Sequence, residues 1–141
     1  MYSAVAARRL QWDNMLWQVP TLSLTGQAFL FTIALGHDSS RTARVVSCLL
    51  SIVMTILSMH LMSRHRQAEW TDAHWLEDYE NRHFGTSWHG VTWATHRNRE
   101  RGSGWLSRLP TFQVWMGGLA VFGLAAFTVL ILTAFWPTLL A

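Results

Sequence analysis

Residues 112–136 read FQVWMGGLAVFGLAAFTVLILTAFW, and this stretch decides the fold. No residue in it carries a formal charge, and as a helix it offers no polar face to water. A helix rises 1.5 Å per residue, so about 20 apolar residues cross a hydrocarbon core of roughly 30 Å. Trp115 and Trp136 stand near its two ends, about 32 Å apart along a helix, which is the separation of the two aromatic belts of a bilayer. Pro137 then stops the helix.

Two further apolar blocks lie upstream. Residues 16–36 read LWQVPTLSLTGQAFLFTIALG, and residues 45–62 read VVSCLLSIVMTILSMHLM. Neither carries a formal charge, and His60 sits near the end of the second. Pro20 is expected in a first helical turn, where its missing N–H costs little, with Trp17 just outside at the interface. The blocks predict an all-α integral membrane protein with three transmembrane helices. An N-terminal cytoplasmic helix covers residues 1–15. A transmembrane hairpin covers 16–62, with spans at about 17–36 and 45–62. A cytoplasmic amphipathic helical segment follows over 63–109, and a third transmembrane helix lies within 110–141. Arg8 and Arg9, the first block and Ala34-Leu35-Gly36 also fit a cleaved signal peptide. The length of the block and Pro20 at its start favour a retained span.

Composition agrees with this class. The chain has 141 residues, a one-domain length, and half of them are apolar. All 11 basic residues are Arg, which we read as compositional bias, and the net charge is only +3. That balance suits a membrane protein with a basic face and speaks against a nucleic-acid partner. Cys48 is the single cysteine, so no intrachain disulfide forms. The segment 63–109 carries Arg64, Arg66, Arg82, Arg97, Arg99, Arg101 and Arg108. The positive-inside rule therefore places it, and with it the N-terminus, in the cytoplasm. Arg41 and Arg44 at the hairpin tip equal Arg8 and Arg9 in number, so the orientation rests on the middle segment. The expected location is the inner, cytoplasmic membrane, crossed several times.

The middle segment should form a helix that continues from the second span and stops at Gly85. A second short helix is expected over 87–101, broken by Gly102-Ser103-Gly104. Arg66 and Trp70 lie one turn apart, as do His65 and Glu69. Trp75, Leu76 and Tyr79 give one apolar side. Trp70, Trp75, Trp88, Trp93, Arg97 and Arg99 are the candidate cytoplasmic interaction residues, because Trp and Arg suit interfaces. The spacings His65/Glu69, His74/Asp78 and His89/His96 would suit Zn²⁺ only with further ligands, so no metal and no cofactor is expected. Glu69, Asp72, Glu77, Asp78 and Glu80 crowd one helix and are expected on a solvated face. Nothing resembles a catalytic motif, and the chain is expected not to be an enzyme.

Small polar residues within spans mark helix contacts. Thr21, Thr25, Ala28 and Thr32 form one stripe. Ser47, Ser51 and Ser58 form another, with Thr55 beside them. Gln27 adds an amide, and Gly117, Gly118, Gly123 and Ala126 open the third span to close approach. The contact or pore-lining candidates are thus Thr21, Thr25, Gln27, Thr32, Ser47, Ser51, Thr55 and Ser58. No carboxylate or Arg lies within a span, which argues against a proton-coupled transporter.

The order RRLQWDNMLW…SLTGQAFLF…HLMSRHRQAEW, over residues 8–80, resembles the SLATT-type membrane modules of bacterial conflict systems. These carry a short N-terminal helix, a two-span hairpin with a tight loop, and a cytoplasmic helix. The resemblance implies a membrane-perturbing or pore-forming defence effector. The third span lies outside that pattern, and no functional residue carries over. The expected function is a small homo-oligomeric pore or channel-like membrane protein. The alternative is an accessory or anchoring subunit of a larger membrane complex.

Overall fold

The computed structural model describes residues 1–89 and 109–136. Trp93, Arg97, Arg99 and Pro137 lie outside the described residues, as does nearly all of the helix expected over 87–101. Among the described residues there are three helices and no strand: α1 (Tyr2–Ala34), α2 (Arg41–Phe84) and α3 (Thr111–Phe135).

One sequence expectation needs correcting. The N-terminal helix and the first apolar block are one element, so Pro20 lies inside α1 rather than in a first turn. Proline cannot donate to the carbonyl four residues back, so the Leu16 carbonyl loses its helical partner there. Leu16 and Pro20 are both fully buried, and packing carries the helix through. The first block is also less apolar than the others. α2 and α3 contain segments long and apolar enough to cross a membrane, whereas α1, diluted by Thr21, Ser23, Thr25, Gln27 and Thr32, does not. The apolar windows of α2 and α3 are only 28% and 17% buried, so the described residues leave most of their apolar surface uncovered.

α2 runs unbroken from the second apolar block into the polar helix after it, as its composition predicts. It stops at Gly85, whose φ of 67° is a left-handed conformation that glycine adopts without strain. Arg82 and His83 in its last turn oppose the negative end of the helix dipole.

The chain divides into two units, one polar (Met1–Gln18 with Met62–Thr111) and one apolar (Val19–Leu61 with Phe112–Ala141). In the apolar unit a tight turn joins α1 to α2. Ser40 caps α2 by accepting the Ala43 N–H at 3.2 Å, and the Ser39 hydroxyl donates to the Ile33 carbonyl at 2.6 Å. Arg44 donates to the Gly36 carbonyl at 3.0 Å, and Arg41 to the Ala134 carbonyl at 3.1 Å, so both cover carbonyls at helix ends. Ala34, Cys48 and Val129 form a small buried cluster against which Leu130 packs. Phe31 meets Phe122 edge to face, with ring centroids 5.9 Å apart.

The glycines of α3 differ in what surrounds them. A Cβ at Gly123 would lie 2.9 Å from Thr55 Cγ2 and 3.3 Å from its Cβ, whereas one at Gly117 or Gly118 would meet nothing within 4 Å. Among the described residues, Gly123 alone of the three therefore makes the close approach expected of them. Gly123→Ala should cost about 1–3 kcal/mol by overpacking against Thr55. Gly118→Ala should be neutral or gain up to about 1 kcal/mol of helix propensity. Thermal unfolding in detergent, followed by circular dichroism, checks the contrast.

Candidate functional site

The hydroxyl-bearing residues fall into two groups. Gln27 on α1 is fully buried, and Ser47, Ser51 and Thr55 on α2 are also buried. Gln27 Nε2 donates to the Ser51 carbonyl at 3.0 Å and to Thr55 Oγ1 at 2.8 Å, while the Ser51 hydroxyl donates to Gln27 Oε1. One amide thus ties two hydroxyl-bearing positions of α2, one turn apart, to α1. Ser58 is half-buried. Thr21, Thr25 and Thr32 lie instead on the exposed side of α1 with Ala28. The Thr25 hydroxyl donates to the Thr21 carbonyl at 3.1 Å and the Thr32 hydroxyl to the Ala28 carbonyl at 2.8 Å. Those two hydroxyls are satisfied within their own helix.

Sequence reasoning missed two members of the buried group. Ser23, one turn before Gln27, is buried on the same side of α1, and Thr133 of α3 is buried with its hydroxyl on the Val129 carbonyl at 2.7 Å. The 4-residue step from Ser23 to Gln27 was the available signal.

In the polar unit, the start of α1 runs antiparallel to the end of α2. Tyr2 meets Glu80, Arg8 meets Asp72, Arg9 meets Glu69, and Trp12 meets His65. The solvated-face expectation is overturned here. Glu69, Asp72 and Glu80 are buried, Glu77 is half-buried, and only Asp78 is exposed. Positions 69, 72, 73, 76 and 80 share one side of α2, so the buried carboxylates flank Ala73 and Leu76. Arg8 grips Asp72 through Nε at 2.8 Å and Nη2 at 2.6 Å, the two-pronged geometry in which guanidinium binds carboxylate best. Glu69 is shared between Arg9 and Arg66. The 3-4-3-4 spacing of Tyr2, Val5, Arg9, Trp12 and Leu16 was the matching signal on α1.

Glu80 is the most completely surrounded of these carboxylates. Its side chain is fully buried. It accepts from the Tyr2 hydroxyl, from the Trp88 N–H at 2.7 Å and from the His89 N–H at 3.0 Å. His89 Nδ1 lies 2.9 Å from Glu80 Oε1 and 2.8 Å from the Tyr2 hydroxyl. Burial alone would raise this carboxyl. Donation by Tyr2 and by the amides and ring that follow Gly85 outweighs burial and holds it down at about 2. The same bond to Glu80, with burial and the nearby negative charge, pushes the Tyr2 hydroxyl up to about 12.

The other candidates take local roles. Trp70 and Trp88 are exposed, and Arg66 lies over the Trp70 ring at 5.4 Å. Trp75 stacks on Tyr79, and Tyr79 on His83. His74 and His83 each contact the carbonyl four residues back. Among the described residues no three His, Cys, Asp or Glu side chains are grouped to hold a metal ion. No protein-family model, no curated protein and no solved structure matches this chain.

Proposed function

We propose that the chain is a multi-pass inner-membrane protein that associates with copies of itself through the outward side of α1, forming a channel-like or pore-forming assembly. The observation that carries this reading is the division of the hydroxyl-bearing residues. Gln27, Ser51 and Thr55 satisfy one another inside the chain, whereas Thr21, Thr25, Ala28 and Thr32 remain outside. The exposed surfaces of α2 and α3 are large and aliphatic, with Leu57 62% and Leu124 65% exposed. The stripe on α1 is small and weakly polar, which is the surface by which helices meet in lipid. Three helices cannot enclose water alone, so a passage needs a ring of subunits. The basic segment 63–109 supports a cytoplasmic N-terminus.

Cross-linking tests the contact. In a Cys48→Ala background, Thr25→Cys should form disulfide-linked species in a bilayer, and Leu57→Cys should not. Native mass spectrometry from nanodiscs should then report a closed multiple of the chain. A monomer with neither cysteine cross-linked would overturn the reading. A second reading, an accessory subunit of a larger complex, draws on exposed Trp88, which is 62% exposed beside the Glu80 cage. Stoichiometric co-purification of an unrelated chain would favour it.

A further inference from the structure

The polar unit contains a groove of about 330 Å³ between α1 and α2, lined by Arg8, Trp12, Arg64, Gln67, Thr71 and Asp72. We propose that this groove binds the phosphate of an anionic phospholipid headgroup. The inference rests on the membrane reading above and adds a ligand to it.

The chemistry of the lining points to a phosphodiester. Asp72 holds Arg8 by Nε and Nη2, which leaves Nη1 without a partner among the described residues, and the Arg8 side chain remains 56% exposed. The ion pair thus orients a guanidinium without covering it. Arg64 supplies a second cation, bonded only weakly to Gln67 Oε1 at 3.3 Å. Two arginines against one aspartate leave the groove one positive charge in excess, which a single phosphodiester neutralises. Trp12 forms its apolar side, held by His65 with ring centroids 5.4 Å apart. Indole is the ring that favours the level between headgroup and acyl chain.

The near end of the groove, formed by Trp12, Arg64 and Gln67, fits that level by its place in the sequence, and Arg8 and Asp72 lie farther from the apolar blocks. Arg64 follows the last residue of the second apolar block, Met62, by two positions. At 1.5 Å per residue, Arg64 and Gln67 fall about 3 and 8 Å beyond the block. A headgroup layer is roughly 5–8 Å deep on each side of the hydrocarbon. On α1, Trp12 precedes the first block, which begins at Leu16, by four positions. The basic segment also lies on the side where anionic lipid is concentrated.

The test uses the full chain in nanodiscs of equal phosphatidylcholine and phosphatidylglycerol, with retained lipid read by native mass spectrometry. The wild type should keep phosphatidylglycerol in preference. Arg64→Gln should lower that preference about fivefold, the effect of about one arginine at a membrane surface. Arg82→Gln, which removes an equal charge outside the groove, should leave it unchanged. Equal losses in both variants would show a diffuse field and overturn the proposal. So would binding of inorganic phosphate in phosphatidylcholine discs without retention of phosphatidylglycerol in the mixed ones, which would make the site one for a free anion. Helicity of each variant is checked first, and Trp12→Phe provides a groove variant that keeps all charges and should weaken retention. Failure to enter either disc would remove the membrane reading and this proposal together. Entry into both without lipid preference would remove the proposal alone.

Discussion

Gln27→Ala should lower the stability of the apolar unit by about 2–4 kcal/mol, the largest loss expected of any single change there. Gln27 is fully buried and bonds both the Ser51 carbonyl and Thr55 Oγ1. Alanine removes the amide and empties its volume. The size of the loss depends on packing more than on hydrogen bonds, because interhelical bonds in lipid average only about 0.6 kcal/mol. Gln27→Leu should therefore cost about 1 kcal/mol. It fills the volume, and Ser51 and Thr55 can turn to carbonyls of their own helix, as Thr133 does towards Val129. Unfolding in detergent titrated with sodium dodecyl sulfate measures both. An alanine variant as stable as the wild type would contradict the buried position of this amide.

The second large effect is expected at Glu80. Glu80→Ala should destabilise the polar unit by about 3 kcal/mol, because the Tyr2 hydroxyl and the amides of Trp88 and His89 lose their common acceptor. Hydrogen exchange should rise at residues 2–8 and 86–89. The carboxyl ionises at about 2 in the folded chain, against an ordinary value of 4.5. Folding thus favours its charged form. That stability is complete above about pH 4.5 and is lost as pH falls from there through about 2. Glu80→Gln keeps the shape without the charge, and should flatten the pH dependence of unfolding in this window. An unchanged acid limb in the Gln variant would show that other carboxylates govern it.

Helix content and the two most apolar segments were legible in the sequence, because long runs without charge leave a chain few alternatives. The continuity of α2 into its polar half was legible for a similar reason, since no Gly or Pro interrupts it before Gly85. The passage of α1 through Pro20 was not. Local rules penalise proline inside a helix, and only the burial of Leu16 and Pro20 overrides them. The buried stripe of Ser47, Ser51 and Thr55 was visible by its spacing, but its partner was not. Thr21, Thr25 and Thr32 have the same periodicity as the inward residues Ser23 and Gln27, and spacing alone cannot say which side of a helix turns inward. The carboxylates of α2 misled for a related reason. A run of Glu and Asp normally faces water, and its burial depends on Tyr2, Arg8 and Arg9, some 60 to 78 residues away in sequence.

The turn between α1 and α2 has a practical corollary. A protease must draw its substrate out straight across its cleft before it can cut. Here Ser39 is fastened to Ile33, Ala43 to Ser40, and Arg44 to Gly36, so the short connector cannot be pulled straight while its helices stand. Digestion would spare it on whichever face of a bilayer it lay. Survival of this connector therefore carries no information about sidedness, and a small reagent directed at a substituted Asp38, which is exposed, does.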